Sequence, residues 1–468
     1  MNIALHTARQ ADEEYPLHML YARVNGRVVR KDDADYDDTR ALNIGNWDRR
    51  PALIVQVADA GDVAAAIEYA RASGLELAVR GGGHSVCGHG STAGGLVIDT
   101  RGLNTLEIAN DKTTVWAGAG LNAGEVTAEL EKHQLIVGFG DAASVGISGI
   151  TLGGGVGYLV RKHGLTIDSL LAVEIVTADG QVLIADRNNH PDLFWALRGG
   201  GGNFGVATRF KYRVHQLPEF IGGPLMLPAT PEVLRGFVEA AGKAPDELST
   251  ILQAMPAPPL PFVPPHLVGQ SVIMGMMAFA GPAAEAQKAL APFRALAEPL
   301  ADLVGPMPLS GLYIPEEPGP APAVTVRTLF MDRIELEQAS LLLNLLEQDD
   351  APMRMVQIRV LGGAAARVGA GDTAYAHRDR QIMTTFLAMS EPDTLARHEA
   401  WGDRCLNAIS QGTNDVYVNF LTDVGAKRVQ DAYPGTTWKR LRQVKRRYDP
   451  QNVFRLNHNV PPAETEAA

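Results

Sequence analysis

The chain has 468 residues, 46% of them hydrophobic and 20% charged, and its 42 Lys+Arg against 53 Asp+Glu give a formal charge of -11. That composition is globular and acidic, which excludes a disordered, collagen-like or disulfide-scaffold protein and disfavours a nucleic-acid partner. At about 150 residues per domain the length suits two large domains or three smaller ones. Cys87 and Cys405 are the only cysteines, which points to a reducing compartment. The N-terminal stretch MNIALHTARQADEEYPLHML lacks a basic region followed by an apolar one, and no apolar run reaches about 18 residues, so the expectation is a cytoplasmic protein without a membrane partner.

From Pro51 the pattern is an apolar run, ALIVQVA, then an Ala/Glu-rich helix closed by Gly74, then ELAVRGGG, a strand, helix, strand unit. The segment from Gly94 to Gly120 alternates apolar and polar residues as strands do, with turn signals at Arg101-Gly102 and Asn110-Asp111. LNAGEVTAELEKHQL reads as a helix with Asn122 as its N-cap. SVGISGITLGGGVG is too glycine-rich for either periodicity, and LLAVEIVTADGQVLIAD reads as a strand pair turning at Asp179-Gly180. Near Gln216 the glycine clusters stop. Helices then alternate with strands and two proline-rich stretches, PAPPLPFVPP and GPAPAV, expected to be ordered loops over a pocket. The basic segment TTWKRLRQVKRRYD reads as a helix with a solvated face.

Three glycine clusters carry the chemistry. In RGGGHSVCGHG, from Arg80 to Gly90, consecutive glycines followed by a hydroxyl residue let backbone N–H groups converge on an anion such as a pyrophosphate. The alternatives are a tight turn with a buried histidine, or a metal held by His84, Cys87 and His89; no second ligand pair accompanies those three, so no metal is expected. GITLGGGVG, from Gly149 to Gly157, superficially offers a nicotinamide dinucleotide fingerprint, but it follows a loop rather than a first strand. A third cluster comes at RGGGGNFGVAT. One such fingerprint cannot explain three clusters, whereas a large extended cofactor contacted by backbone at several places can.

Together, RRPALIV, RGGGHS, SVGISGITLGGGVG, DLFWALRGGGGNFGVAT, YVNF and YDPQNVFRLNHNVPP resemble, in the same order from about Arg50 to Pro462, the flavin-linked oxidases of the vanillyl-alcohol oxidase superfamily. The resemblance is to the berberine-bridge-enzyme-like group, with its bacterial hydroxynicotine and oligosaccharide oxidases. It implies an α+β, two-domain PCMH-type FAD-binding fold: residues 1–215 bind FAD, residues 216–421 form a substrate domain of antiparallel sheet backed by helices, and residues 422–468 return to the FAD-binding domain. It implies FAD contacts from Arg80, Gly81, Gly82, Gly83, His84 and Ser85; from Ala142, Val145, Gly146, Gly149, Gly153, Gly154, Gly155 and Gly157; from Gly205 and Val206; and from Asn457 and Asn459.

On the resemblance, His84 matches the histidine attached to the C8 methyl of the isoalloxazine. Ala142 stands where many relatives carry a second, cysteine link, so a single covalent bond is expected, with Cys87 read as a small apolar residue. Val145 matches the position where oxygen approaches, and a valine there looks like the oxygen-admitting version. Tyr417 matches the family's catalytic tyrosine, with Asn419 two residues on and facing the same way if the segment is a strand. Gln357, Arg359, Tyr375, His377 and Arg378 are pocket candidates. The implied function is an oxidase that takes hydride from a small organic substrate, an alcohol, amine or phenolic or polyketide-like compound, and passes the electrons to O2 to give hydrogen peroxide; the many Leu, Met and Pro residues from Pro224 to Pro322 favour an apolar substrate over a sugar. A dehydrogenase or cyclase with another acceptor, and a non-catalytic metal or small-molecule binding protein, are the alternatives; the sequence leaves substrate identity and oligomeric state open.

Overall fold

The computed structural model describes residues 16–313, 319–422 and 425–464. Most of the N-terminal stretch that bears on a leader therefore lies outside the described residues. Among them no helix is long and apolar enough to cross a membrane.

The architecture is α+β, and the described residues form three sheets of four or more strands and a two-stranded one. The first is built on the strand, helix, strand unit: Leu53–Gln56, helix Ala60–Ala72 and Leu77–Arg80, with Leu96–Asp99 inserted between the two strands in parallel and Arg27–Arg30 added antiparallel at the edge. Asp59 caps the helix by accepting from the Asp62 N–H. The helix face carrying Val63, Ala66, Ile67 and Ala70 packs on Val55 and Ile98. The second sheet is antiparallel, five-stranded, and includes Thr114–Gly118, Leu170–Val176, Val182–Asp186 and Val206–Arg213. Its helix Ala123–Glu131 has Asn122 as its N-cap, as the sequence led one to expect, and Glu125 completes a capping box with it.

Every strand of the third and largest sheet comes from residues 221–390, and all its pairings are antiparallel. One face is covered by helices Pro231–Lys243, Ala283–Arg294, Leu336–Leu346 and Leu395–Ile409, through Phe237, Phe293, Leu342 and Trp401 against Leu252, Ile273, Val356 and Phe386. Because side chains alternate across a strand, the other face presents Met226, Ile251, Met274 and Met276, which belong to the core shared with the second sheet. The sheet is thus buried on both sides, and the site lies along this second face. The proline-rich stretch from Pro256 is an ordered loop, pinned where the Ala257 and Gly269 N–H groups donate to Gln270 and Ala257 carbonyls, with Val263 in the shared core.

Two local readings change. SVGISGITLGGGVG contains a short helix, Ile147–Gly153, which enters after Gly146 and stops at Gly154, whose φ of 128° lies outside the range favoured by other residues. The glycines that hide its periodicity are those that terminate it. The basic helix Thr436–Tyr448 is not wholly a solvated face: Lys445 is fully buried, paired with Asp449 at 2.7 Å and donating to the Asn203 and Phe454 carbonyls. Removing one partner of such a pair costs about 3–5 kcal/mol. The lysine therefore fastens the C-terminal segment to the loop of the third glycine cluster.

Candidate active site

The first two glycine clusters meet. A Cβ on Gly82 would fall 2.3 Å from the Gly146 nitrogen, and one on Gly146 would fall 2.4 Å from the Gly82 nitrogen, so the two loops cross at backbone contact that no other residue type permits. Gly81 is similarly closed by the Ser148 hydroxyl, and Gly83 has a φ of 75°. His84 emerges from this crossing. Its Nε2 lies 2.8 Å from Ser144 Oγ and 3.1 Å from Asn43 Nδ2, and since an amide nitrogen only donates, Nε2 accepts in the second bond. Asn43 also donates to the Gly82 carbonyl at 2.7 Å, tying both ends of the turn.

Arg80 lies beneath the turn, buried and paired with Asp99 at 2.6 Å, so it holds the loop in place. Ser85 accepts from the Gly88 N–H through its carbonyl. Ala142 and Val145 are half-buried in the facing loop, where the Val145 carbonyl takes the Ala123 N–H. Gly149 is exposed, with nothing within 4 Å of where its Cβ would be. The remaining glycines answer to neighbours within the protein: Gly153 to Asn419, Gly155 to Thr166, Gly157 to the Phe139 carbonyl, and Gly205 to the Val176 carbonyl, with Val206 in the core of the first sheet.

The set His84, Cys87, His89 does not come together among the described residues. Cys87 and His89 meet His458 instead, with ligand atoms within 4.8 Å of one another, while the Cys87 thiol points at the Leu421 and Thr422 carbonyls. Asn457 and Asn459 flank His458 in the tail. Asn457 donates to the Gly202 and Phe454 carbonyls, and the Oδ1 atoms of both asparagines are buried without a partner.

The other end of the site is made by side chains. Tyr417 is not on a strand; it precedes a single turn of helix, Val418–Phe420. The turn still brings Asn419 back, so that its Nδ2 donates to the Tyr417 hydroxyl at 2.9 Å, while the Gly155 N–H donates to the same oxygen at 2.9 Å. Burial pushes the Tyr417 pKa up to about 12, and the two donors, with Arg359 nearby, act in the opposite direction. Tyr375 stands edge-on to Tyr417 at 5.9 Å, its own hydroxyl buried and unpartnered, over Gly154, where a Cβ would lie 3.0 Å from its ring. His377 is buried against Phe330 and Tyr375, 3.8 Å from Asp415, and burial lowers its pKa. Arg378 grips Asp168 with two bonds of 2.8 Å, a structural pairing.

Gln357 and Arg359 lie on strand Met353–Val360, two apart and on the inner face of the large sheet. Gln357 stands in a cross-strand row with Gln253, Thr385 and Thr328, and Arg359 in the next row with Ile251, Met383 and Phe330. Sequence reasoning missed Gln253, which antiparallel register alone places beside Gln357. It also missed Asp141, the ion-pair partner of Arg359, although Asp141 adjoins Ala142 in a loop already singled out.

This arrangement fits FAD. The crossing of two glycine loops with an open position at Gly149 lets a ligand approach backbone closely, beside the fixed imidazole, and the unpartnered oxygens of Asn457 and Asn459 supply acceptors. The comparisons agree. Residues 51–186 match the FAD binding domain family and residues 416–461 the berberine and berberine-like family. An uncharacterized FAD-linked oxidoreductase of Bacillus subtilis, YgaK, is 30% identical over 452 residues, spanning 94% of this chain and 98% of its own. The (R)-6-hydroxynicotine oxidase of Paenarthrobacter nicotinovorans is 28% identical, over 94% of this chain and 97% of its own. Among solved structures, a glucooligosaccharide oxidase from Acremonium strictum, described with a 6-S-cysteinyl, 8α-N1-histidyl FAD, superposes with a TM-score of 0.82 at 22% identity, over 95% of this chain and 99% of that one. The fold, the two family matches and the full-length relative together place this chain in the berberine-bridge-enzyme-like family of FAD-linked oxidoreductases, as an FAD-dependent enzyme.

Proposed function

We propose that the protein is an oxidase, with FAD attached once, through His84, that oxidises a small organic substrate and returns the electrons to O2 as hydrogen peroxide. The observation that carries the reading is the buried Tyr417 hydroxyl, whose oxygen takes one backbone and one side-chain donor. Bound FAD supplies a two-electron acceptor for hydride. The chain's part is to remove the substrate's hydroxyl, amine or phenol proton, and Tyr417 as phenolate is the base within the pocket. The donors from Gly155 and Asn419 stabilise the anionic oxygen, and Tyr375 and Phe420 keep water from it.

His84 supports the single link, since its Nε2 is already engaged by Ser144 and Asn43 and attachment through Nδ1 leaves those contacts in place. Ala142 offers no sulfur for a second link. In this reading residues 1–215 and 422–468 hold the cofactor and residues 216–421 hold the substrate. The test is acid precipitation followed by turnover: a yellow chromophore that stays with the pellet, and peroxide formed in proportion to O2 consumed, are expected. A colourless pellet with the yellow in the supernatant would remove the covalent link. Turnover with a dye but not with O2 would turn the oxidase into a dehydrogenase.

A further inference from the structure

Arg359 is buried, 3% exposed, in a cross-strand row that is otherwise apolar: Met276, Ile251, Met383 and Phe330. A guanidinium brings five N–H donors that cannot be switched off by deprotonation, and burying them without acceptors is costly. One end is satisfied, Nη2 by the Asp141 carboxylate across the cleft, while Nε and Nη1 are buried with no partner. The guanidinium lies 4.9 Å from the Phe420 ring centroid, and its charge is felt at Tyr417. The unmet donors are therefore at the wall where the substrate's reacting group must sit if Tyr417 is the base. Asp141, with its side chain 26% exposed, fixes the orientation of the guanidinium from the opposite loop.

We propose that Arg359 recognises an acidic oxygen of the substrate, which is thus a small organic anion carrying a carboxylate, phenolate or enolate beside the bond to be oxidised. This rests on the reading of the cleft as the substrate side of a flavin site, and it narrows the substrate class that the apolar lining alone leaves wide. Asp141 tempers the positive charge: with it, the pair binds an anion by directed N–H donors; without it, the full charge of the arginine faces the ligand.

The test is calorimetric binding to the holoenzyme at pH 7 of 4-hydroxybenzoate and its neutral counterpart 4-hydroxybenzamide. A charge-assisted contact corresponds to roughly a tenfold or greater preference for the acid. That preference is expected to collapse in Arg359→Met, to persist in part in Arg359→Lys, and to grow several-fold in Asp141→Asn. Equal binding of acid and amide in the wild type, or a preference surviving in Arg359→Met, would overturn the proposal. If the methionine variant does not fold, Asp141→Asn decides: an unchanged or reduced preference for the acid contradicts it. The flavin absorbance of the same samples separates the two readings, because a preparation without flavin sinks the oxidase, whereas one with flavin but no anion preference sinks only this inference.

Discussion

The two ends of the site are built on different principles. At the His84 end, backbone meets backbone: Gly82 and Gly146 touch, and the imidazole is positioned by a turn that only glycine can make. At the Tyr417 end, side chains from distant segments converge, and the glycines there, Gly153 and Gly154, make room for the side chains of Asn419 and Tyr375 rather than for facing backbone. The first kind of site writes itself into the sequence as clustered glycines; the second is written only in strand register and in one turn of helix. A change at the first should remove the cofactor, and a change at the second should leave the cofactor in place and remove the chemistry.

Gly82→Ala is the strongest way to break that contrast. The new methyl would meet backbone on the facing loop, which cannot yield as a flexible side chain would, so purified protein is expected to have lost most of its flavin absorbance. A variant with full flavin content would show that the loops do not need their contact. Tyr417→Phe attacks the other end: kcat/KM is expected to fall by about 10²–10⁴, the usual range for a lost general base, with flavin content unchanged. Loss of flavin together with activity would mean that the two ends are one unit.

A finer test concerns Asn419. Donation to the Tyr417 oxygen favours the phenolate, so Asn419→Ala should disfavour it and lower kcat/KM at a fixed pH by about tenfold, the equivalent of one charge-assisted hydrogen bond, with flavin content unchanged. An unchanged kcat/KM would deny the Asn419 donor its role at the Tyr417 oxygen. The smallest expected effect is on stability. Burial lowers the pKa of His89 and His163 to about 3, and of His215 and His458 to about 4, from an ordinary value of 6.5. Unfolding frees these rings to take up protons, so their contribution is present above pH 6.5 and is lost as the pH falls toward 3. Denaturant midpoints should drop across that window, and less so in His458→Gln.

Much of the first half of the molecule was legible from sequence because its signals are local. The Asn122 N-cap, the strand, helix, strand unit and the hairpin at Asp179-Gly180 each depend on residues a few positions apart. The helix Ile147–Gly153 was masked by the glycines that serve packing rather than periodicity. Asn419 donates to the Tyr417 hydroxyl, a meeting of side chains that a strand would have suggested, yet it does so through a turn, since three residues of helix also return a side chain to its neighbour. Asp141 and Gln253 were illegible for another reason: each acquires its meaning only from a partner more than 100 positions away, Arg359 and Gln357 respectively. Lys445 misled because a basic helix carries the same letters whether or not one of its lysines turns inward.

The claim that holds the account together is a flavin bonded to His84, and the intact mass of the denatured protein tests it most directly. The wild type is expected to carry the mass of one FAD and His84→Ala none. An apo mass in the wild type would contradict the covalent link, as would a flavin adduct that survives in the variant.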